Sequence, residues 1–268
     1  MAKELFIFDL ETYPNMFLAV FKSVKTGEYI HFEISDRRNQ IYILKVFLRD
    51  KVRGLIGFNN LNFDYPVMHN SILKTDRILT SYEIYEEVEK VIHTKYSSIY
   101  DNQIKIPQLD LYKIWHYDNK NKATSLKWLE FAMRLPNVED LPYAPGTILT
   151  SEQMDEIIAY CKNDIDATEQ FYKQSLKHIQ IRQFYTSHED LPLMNASEIK
   201  MSKEIFGKYL AKEMKIPLKE LTQMRTHRSR INIKDIVFDY LEFNDVINQQ
   251  TLKNFNDFVW LYNDDTEK

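Results

Sequence analysis

Acidic residues near the amino terminus could hold a metal ion. Residues 6–12 read Phe-Ile-Phe-Asp-Leu-Glu-Thr. A strand points alternate side chains to opposite faces, so Asp9 and Glu11 would project together from one surface. Two carboxylates this close repel each other unless a cation lies between them, and Mg²⁺ and Mn²⁺ prefer such oxygen ligands. The pair alone is also compatible with an edge strand that exposes two acids to water.

Two later segments carry acids that could reach the same cleft. Asp64 ends the run Asn-Asn-Leu-Asn-Phe-Asp, which follows a short apolar strand-like segment. Tyr160 and Asp164 are four residues apart in a predicted helix, so they share one helix face. Four acids on a strand, a loop–helix junction and a helix could converge on two metal ions. Such a pair of ions stabilises the attacking and leaving oxygens of an in-line phosphoryl displacement.

The elements that would position these acids alternate between strand and helix. Apolar patterns predict strands at 5–10, 16–24, 29–34, 55–58 and 104–111. Helical spacing and capping patterns predict helices at 38–50, 126–135 and 150 to about 180, with a peripheral helix at 81–95. The alternation predicts an α/β fold around a mixed sheet that opens with a hairpin.

Composition excludes several classes of protein. The 268-residue chain is 44% hydrophobic and 28% charged, as in globular proteins with a substantial core. Its single cysteine, Cys161, excludes an internal disulfide framework and favours a reducing, cytoplasmic setting. The sequence shows no leader pattern and no apolar run near about 18 residues, so we expect neither a signal peptide nor a membrane span.

The charge distribution changes in the last third of the chain. Residues 195–234 hold ten Lys and Arg against four Glu, whereas 235–268 hold eight acids and two Lys. We therefore predict two domains, 1–188 and 189–268, the second a mostly helical appendage. Its basic strip at 219–234 is typical of a solvated helix end or of a surface that follows phosphates. The acidic tail would be a helical cap or a partner surface.

A helix predicted from residue 195 would place a set of apolar side chains on one face. They are Ile199, Ile205, Phe206, Tyr209 and Leu210.

The three acidic motifs together resemble a known family. Asp9-x-Glu11, Asn60-x2-Phe63-Asp64 and Tyr160-x3-Asp164 resemble, in order and separation, the motifs of DnaQ-like 3′–5′ exonucleases of the DEDD type. Tyr160 occupies the position that defines the tyrosine branch (DEDDy), and the histidine of the other branch is replaced by Ala159. The resemblance implies an α/β, RNase H-like mixed β-sheet flanked by helices, followed here by the mostly helical C-terminal appendage.

The resemblance also implies a role for each matching residue. Asp9, Glu11 and Asp164 would bind one divalent ion, and Asp9 and Asp64 a second, so the expected cofactors are two Mg²⁺ or Mn²⁺ ions. Tyr160 would orient the attacking water at the terminal phosphodiester. The implied substrate contacts are Thr12, Asn60, Phe63, Ser125 and Leu126.

Some neighbouring residues have roles that the sequence leaves open. Asp166, two residues past Asp164, would turn away by roughly 200° along the helix. Asp110 is either a ligand or a structural acid held by hydrogen bonds. Leu10 is either a wedge between nucleotides or a core residue. A lysine that related enzymes carry in the preceding loop is missing from 135–141, and Lys162 could substitute for it.

A narrower resemblance indicates the substrate. Ser125-Leu126-Lys127 and the segment 160–164 resemble the N-terminal proofreading exonuclease domain of phage-type family B DNA polymerases. This implies a 3′–5′ exonuclease that releases nucleoside monophosphates from single-stranded DNA ends, in a bacterial or phage-infected cell. A polymerase domain in cis or in trans would be its partner, and no membrane is expected. The alternatives are a stand-alone exoribonuclease of the same branch and a non-catalytic nucleic-acid-binding module on the same fold.

Overall fold

The computed structural model of the protein describes residues 2–94, 99–224 and 229–261. The chain divides into two compact units, Met1–Phe206 and Gly207–Lys268. Within the described residues, no helix is both long enough and apolar enough to cross a membrane.

A five-stranded mixed sheet forms the centre of the first unit. Its strands are β1 (Glu4–Tyr13), β2 (Met16–Ser23), β3 (Tyr29–Ser35), β4 (Val52–Gly57) and β5 (Gln108–Asp110). They lie in the order β3-β2-β1-β4-β5. β1, β2 and β3 pair antiparallel, whereas β1, β4 and β5 pair parallel. The predicted α/β fold with a mixed sheet opening in a hairpin is confirmed.

Helices cover both faces of this sheet. They are α1 (Ile41–Asp50), α2 (Asp64–Met68), α3 (Ser81–His93), α4 (Leu111–Ile114), α5 (Leu126–Met133), α6 (Ser151–Gln174) and α7 (Leu176–Glu189). Successive residues of β1 enter different layers, as the pleat requires. Phe8 belongs to the core cluster that includes Leu44 of α1 and Ile84 of α3, and Ile7 to the cluster that includes Ile157 of α6.

Helix α3 is not peripheral, so that prediction was wrong. Ile84 and Val88 belong to the main core cluster, and α3 contacts β1 and β2. Val91 completes a buried stripe with spacings of four and three residues, which the surrounding Glu and Tyr residues mask in the sequence. Residue 95, the last of the predicted helix, lies outside the described residues.

Two other predicted elements have different bounds. The strand expected at 104–111 is confined to β5, and Leu111 already begins α4. The helix expected from 150 to about 180 is two helices, because α6 ends at Gln174 and α7 begins after Ser175. The predicted start of this helix is confirmed, since Thr150 and Gln153 form the expected capping box at the N-terminus of α6.

Helix α8 (Glu198–Met214) contains the boundary between the two units. Leu193, Ala196 and Met201 form a small buried cluster against which Tyr185 packs. The unit boundary therefore falls beyond residue 188, and the predicted division into 1–188 and 189–268 stays a prediction. The predicted apolar face of this helix was wrong in part, because Ile199, Phe206 and Tyr209 are exposed.

The second unit combines short helices with a small sheet. Its further elements are α9 (Leu218–Gln223), β6 (Arg230–Asn232), α10 (Val246–Asn256) and β7 (Val259–Leu261). β6 and β7 pair antiparallel, a two-stranded sheet that the expectation of a mostly helical appendage did not include. The residues 225–228 of the basic strip and 262–268 of the acidic tail lie outside the described residues.

Candidate active site

The register of β1 directs its two acids toward α6. Asp9 and Glu11 share the strand face of Ile7, which packs in the α6 layer, while Phe8 and Leu10 pack in the opposite layer. Leu10 is only 5% exposed. Leu10 therefore has a core position, but because it also lines the cleft described next, its role as a wedge stays a prediction.

The four acids line a single cleft. It has a volume of 360 Å³, and its walls include Asp9, Glu11, Asp64 and Asp164. β1 supplies the first two, the first residue of α2 supplies Asp64, and α6 supplies Asp164. The rest of the lining consists of Leu10, Phe58, Asn59, Phe63, Tyr112, Thr124, Ser125, Leu126 and Thr168.

Burial and mutual repulsion disfavour four bare charges in this cleft. Desolvation, followed by the charge of Asp64, raises the pKa of Asp9 well above its ordinary value. Desolvation and then Asp9 and Asp164 raise the pKa of Glu11 in the same way. The pKa of Asp64 rises to about 7, mainly through burial, and that of Asp164 to about 8 through burial and Asp9. The cluster therefore favours bound protons or a bound cation.

Tyr160 adjoins the acids as a protonated phenol. It lies on α6 and forms a side-chain hydrogen bond with Asp164. Burial, followed by the negative charges of Asp164 and Glu11, raises the pKa of its hydroxyl far above the ordinary value. Near neutral pH the hydroxyl can therefore donate a hydrogen bond, but it cannot act as a phenolate base.

Cys161 is a neighbour of the acids that the sequence analysis missed. Its thiol donates to Asp9, with Sγ 3.6 Å from Oδ2. One ligand atom each from Asp9, Glu11 and Cys161 lie within 4.8 Å of one another, a grouping that could hold a metal ion. Burial raises the pKa of the thiol, so it keeps its proton and serves Asp9 as a donor. Its position three residues before Asp164 was the available signal.

Asp110 holds the loop that leads into α2. Its carboxylate accepts hydrogen bonds from the backbone N–H groups of Asn59, Leu61 and Tyr112, at 2.9, 3.1 and 3.0 Å. Asn59 has a φ of 62°, a left-handed conformation that asparagine tolerates better than most residues. Of its two proposed roles, Asp110 takes that of a structural acid.

The two adjacent asparagines of this loop have different surroundings. Asn59 lines the cleft, although the sequence analysis did not select it. Asn60 is fully buried and donates from Nδ2 to Oε1 of Gln108 at 2.9 Å. It also packs against Gly57, where an added Cβ would lie 2.7 Å from the Cβ of Asn60. The structure thus keeps Asn60 out of the cleft.

The other predicted substrate contacts also divide. Phe63, Ser125 and Leu126 line the cleft. Ser125 in addition caps α5, accepting from the backbone N–H of Trp128 at 3.1 Å. Thr12 is half-buried in the β1–β2 hairpin and does not line the cleft.

Asp166 and Lys162 lie on another side of α6. Lys22 contacts the Asp166 carboxylate at 2.6 Å, and the Tyr29 hydroxyl donates to it. The Nζ of Lys162 lies 5.7 Å from the centroid of the Tyr29 ring. The expectation that Asp166 turns away is confirmed. Lys162 contacts Tyr29 and is not part of the cleft lining.

Comparison with known proteins adds no family assignment, since no family model, curated protein or solved structure matches the chain.

Proposed function

We propose that the protein is a metal-dependent 3′–5′ exonuclease that removes nucleoside monophosphates from single-stranded DNA, as in proofreading. One observation carries the proposal. Carboxylates from β1, α2 and α6 line one cleft of 360 Å³, and the Tyr160 hydroxyl is hydrogen-bonded to one of them, that of Asp164. An edge strand that exposes two acids to water would not also bring acids from two helices into the same cleft.

The sheet gives secondary support. The order β3-β2-β1-β4-β5, with an antiparallel β1–β3 meander followed by parallel β4 and β5, agrees with the RNase H-like fold that the motif resemblance implies. The acids lie on and beside the central strand β1. Ligands of open sheets with parallel strands commonly bind in the crevice beyond the carboxyl ends of the strands.

The donors fit hard divalent cations. Oxygen ligands from Asp9, Glu11, Asp64 and Asp164 suit Mg²⁺ or Mn²⁺, and the raised pKa values of these acids support a cleft that favours added positive charge. Two such ions, when bound, would stabilise the negative charge that develops on the attacking and leaving oxygens. Cys161, which donates to Asp9, would help to orient that ligand.

The chain's own residues would bind and orient the substrate. Phe63 and Leu126 offer apolar surface to the terminal base, and Asn59 and Ser125 offer polar groups to its sugar and phosphate. Tyr160, held on Asp164, would orient a water molecule for attack on the terminal phosphorus. Correct orientation of reacting groups alone supplies a large part of such rate enhancements.

The test is digestion of 5′-labelled single-stranded DNA, and of RNA of the same sequence, with Mg²⁺ or Mn²⁺. We expect a ladder that shortens from the 3′ end of DNA and disappears in Asp9→Asn and Asp164→Asn. Asp166→Asn is the matched control, because this acid lies on the same helix but contacts Lys22 and Tyr29. A ladder on RNA alone would assign the protein to RNA turnover. Equal activity in the Asp164→Asn variant would refute the site.

A further inference from the structure

A second cavity lies beside the cleft of the four acids. Its volume is 630 Å³, and its walls include Trp115, Tyr117, Lys122 and Trp128. Thr124 and Ser125 line both cavities, so the two adjoin at the loop that precedes α5. The second cavity therefore lies where a strand could continue from the first.

Two of its aromatic rings are fixed by contacts within the fold. The indole N–H of Trp115 donates to Oγ of Ser175 at 2.8 Å. The rings of Trp115 and Tyr117 are nearly parallel, at 13° with centroids 6.5 Å apart, and Tyr117 stacks in turn against Phe171. These rings form an apolar wall that is already in place before any ligand binds, which lowers the entropic cost of binding.

The lining of the cavity also includes an exposed ring and a cation, Trp128 and Lys122. Trp128, in the first turn of α5, is 62% exposed, a large apolar surface to leave in contact with water. Lys122 is exposed on the loop between α4 and α5. A flat aromatic surface beside a cation suits the two parts of a nucleotide, since bases stack on rings and phosphates attract lysines.

We propose that this second cavity binds the nucleotides that precede the terminal one, with a base stacked on Trp128 and a phosphate held by Lys122. The inference rests on the proposed exonuclease function and extends it to a longer stretch of the strand. The recognised chemistry, a base joined to a phosphate, is common to single-stranded DNA and RNA. A protein ligand would show no dependence on bases.

The first arm of the test measures KM against strand length. For the wild-type protein, KM should fall as the substrate grows from a dinucleotide to a short oligonucleotide. In Trp128→Ala this fall should largely disappear, because loss of one stacked base weakens binding by roughly five- to a hundredfold. Phe131→Ala is the matched control, since Phe131 lies on the same helix, is 74% exposed and does not line the cavity.

The second arm measures binding without cleavage, in Asp164→Asn protein, by fluorescence anisotropy of labelled DNA and RNA strands. Strands with one abasic site should bind more weakly than intact strands when the missing base is the one that stacks. The added change Trp128→Ala should abolish that difference. Lys122→Ala should reduce the salt slope by about 0.7, the value for one phosphate contact on a single strand.

The outcomes separate this inference from the function on which it rests. If the wild-type protein cleaves a dinucleotide but Trp128→Ala keeps the full length dependence, the second cavity does not bind the strand. If the wild-type protein cleaves nothing, the proposed function fails, and the anisotropy arm still decides whether the cavity binds bases. Equal binding of intact strands and of every abasic strand would overturn the proposal. DNA and RNA, tested side by side, show which sugar the cavity accepts.

Discussion

The crowded carboxylates should make the stability of the metal-free protein depend on pH. The pKa values of Asp64 and Asp164, about 7 and about 8, lie above their ordinary 3.8. At a pH between the ordinary pKa and the raised pKa, the folded protein binds more protons than the unfolded chain. The free energy of unfolding therefore falls as pH rises from about 4 to about 8. Each group contributes at most about 1.4 kcal/mol per pH unit.

We expect Asp164→Asn to flatten this dependence, because the amide neither titrates nor repels Asp9. Urea unfolding in chelator-containing buffers across that pH range measures the slope. Asp166→Asn should leave the slope as in the wild-type protein. A slope in Asp164→Asn equal to that of the wild-type protein would contradict the assignment of a raised pKa to Asp164.

Tyr160→Phe should separate orientation from metal binding. The change removes one hydroxyl and keeps the ring, so the four acids stay in place. We expect kcat to fall roughly 10- to 100-fold, the usual loss when a residue that hydrogen-bonds to a metal ligand is changed. The affinity for Mn²⁺, from calorimetric titration, should fall far less than in Asp9→Asn. A loss of metal affinity equal to that in Asp9→Asn would make Tyr160 part of the metal site itself.

At the scale of the elements, the loop before α2 depends on a single acid. Asp110→Ala removes the acceptor of three backbone N–H groups, including that of Asn59 in its left-handed conformation. We expect a loss of about 3 kcal/mol or more in the free energy of unfolding, since buried donors lose a charged partner. Asp166→Ala, whose carboxylate is 54% exposed, should cost about 1 kcal/mol or less. Equal losses in urea unfolding would show that Asp110 does not hold the loop.

The sequence predicts those parts of the site that follow local periods. The alternation of Asp9 and Glu11 and the four-residue spacing of Tyr160 and Asp164 set the faces of β1 and α6. The structure brings Asp9, Glu11 and Asp164 to one cleft and Tyr160 into hydrogen-bond contact with Asp164. The capping box at Thr150 likewise sets the start of α6 correctly. These features depend on neighbours a few residues away.

Features set by distant contacts could not be predicted in this way. Which of Asn59 and Asn60 faces the cleft depends on Asp110, about fifty residues later, and on the close approach of Gly57. The core role of α3 depends on a sheet formed far away in sequence, while its own composition is dominated by Glu and Tyr. Periodicity shows which residues share a face, but not what covers that face.

At the scale of the whole molecule, bound metal should stabilise the folded chain. A cation that binds only the folded state adds about 2.7 kcal/mol to the free energy of unfolding when its free concentration is about one hundred times its Kd. We therefore expect Mg²⁺ or Mn²⁺ to raise Tm in differential scanning calorimetry. Because the ligands must be deprotonated, the rise should grow with pH up to about 8. An equal rise in the Asp9→Asn variant would place the stabilising metal elsewhere.

The salt dependence of binding tests whether the basic strip of the second unit also contacts the single-stranded nucleic acid. Arg225 and Arg228 lie outside the described residues, and Arg230 is exposed on β6. If the three arginines each neutralise a phosphate, their joint replacement by Ala should reduce the slope of log K against log salt by about 2, at 0.7 per contact on a single strand. Replacing Lys3, Arg49 and Arg53 by Ala removes equal charge near the amino-terminal ends of β1 and β4. This control should leave the slope unchanged. An unchanged slope in the arginine variant would mean that the strip is a solvated surface and that the strand is held by the first unit alone.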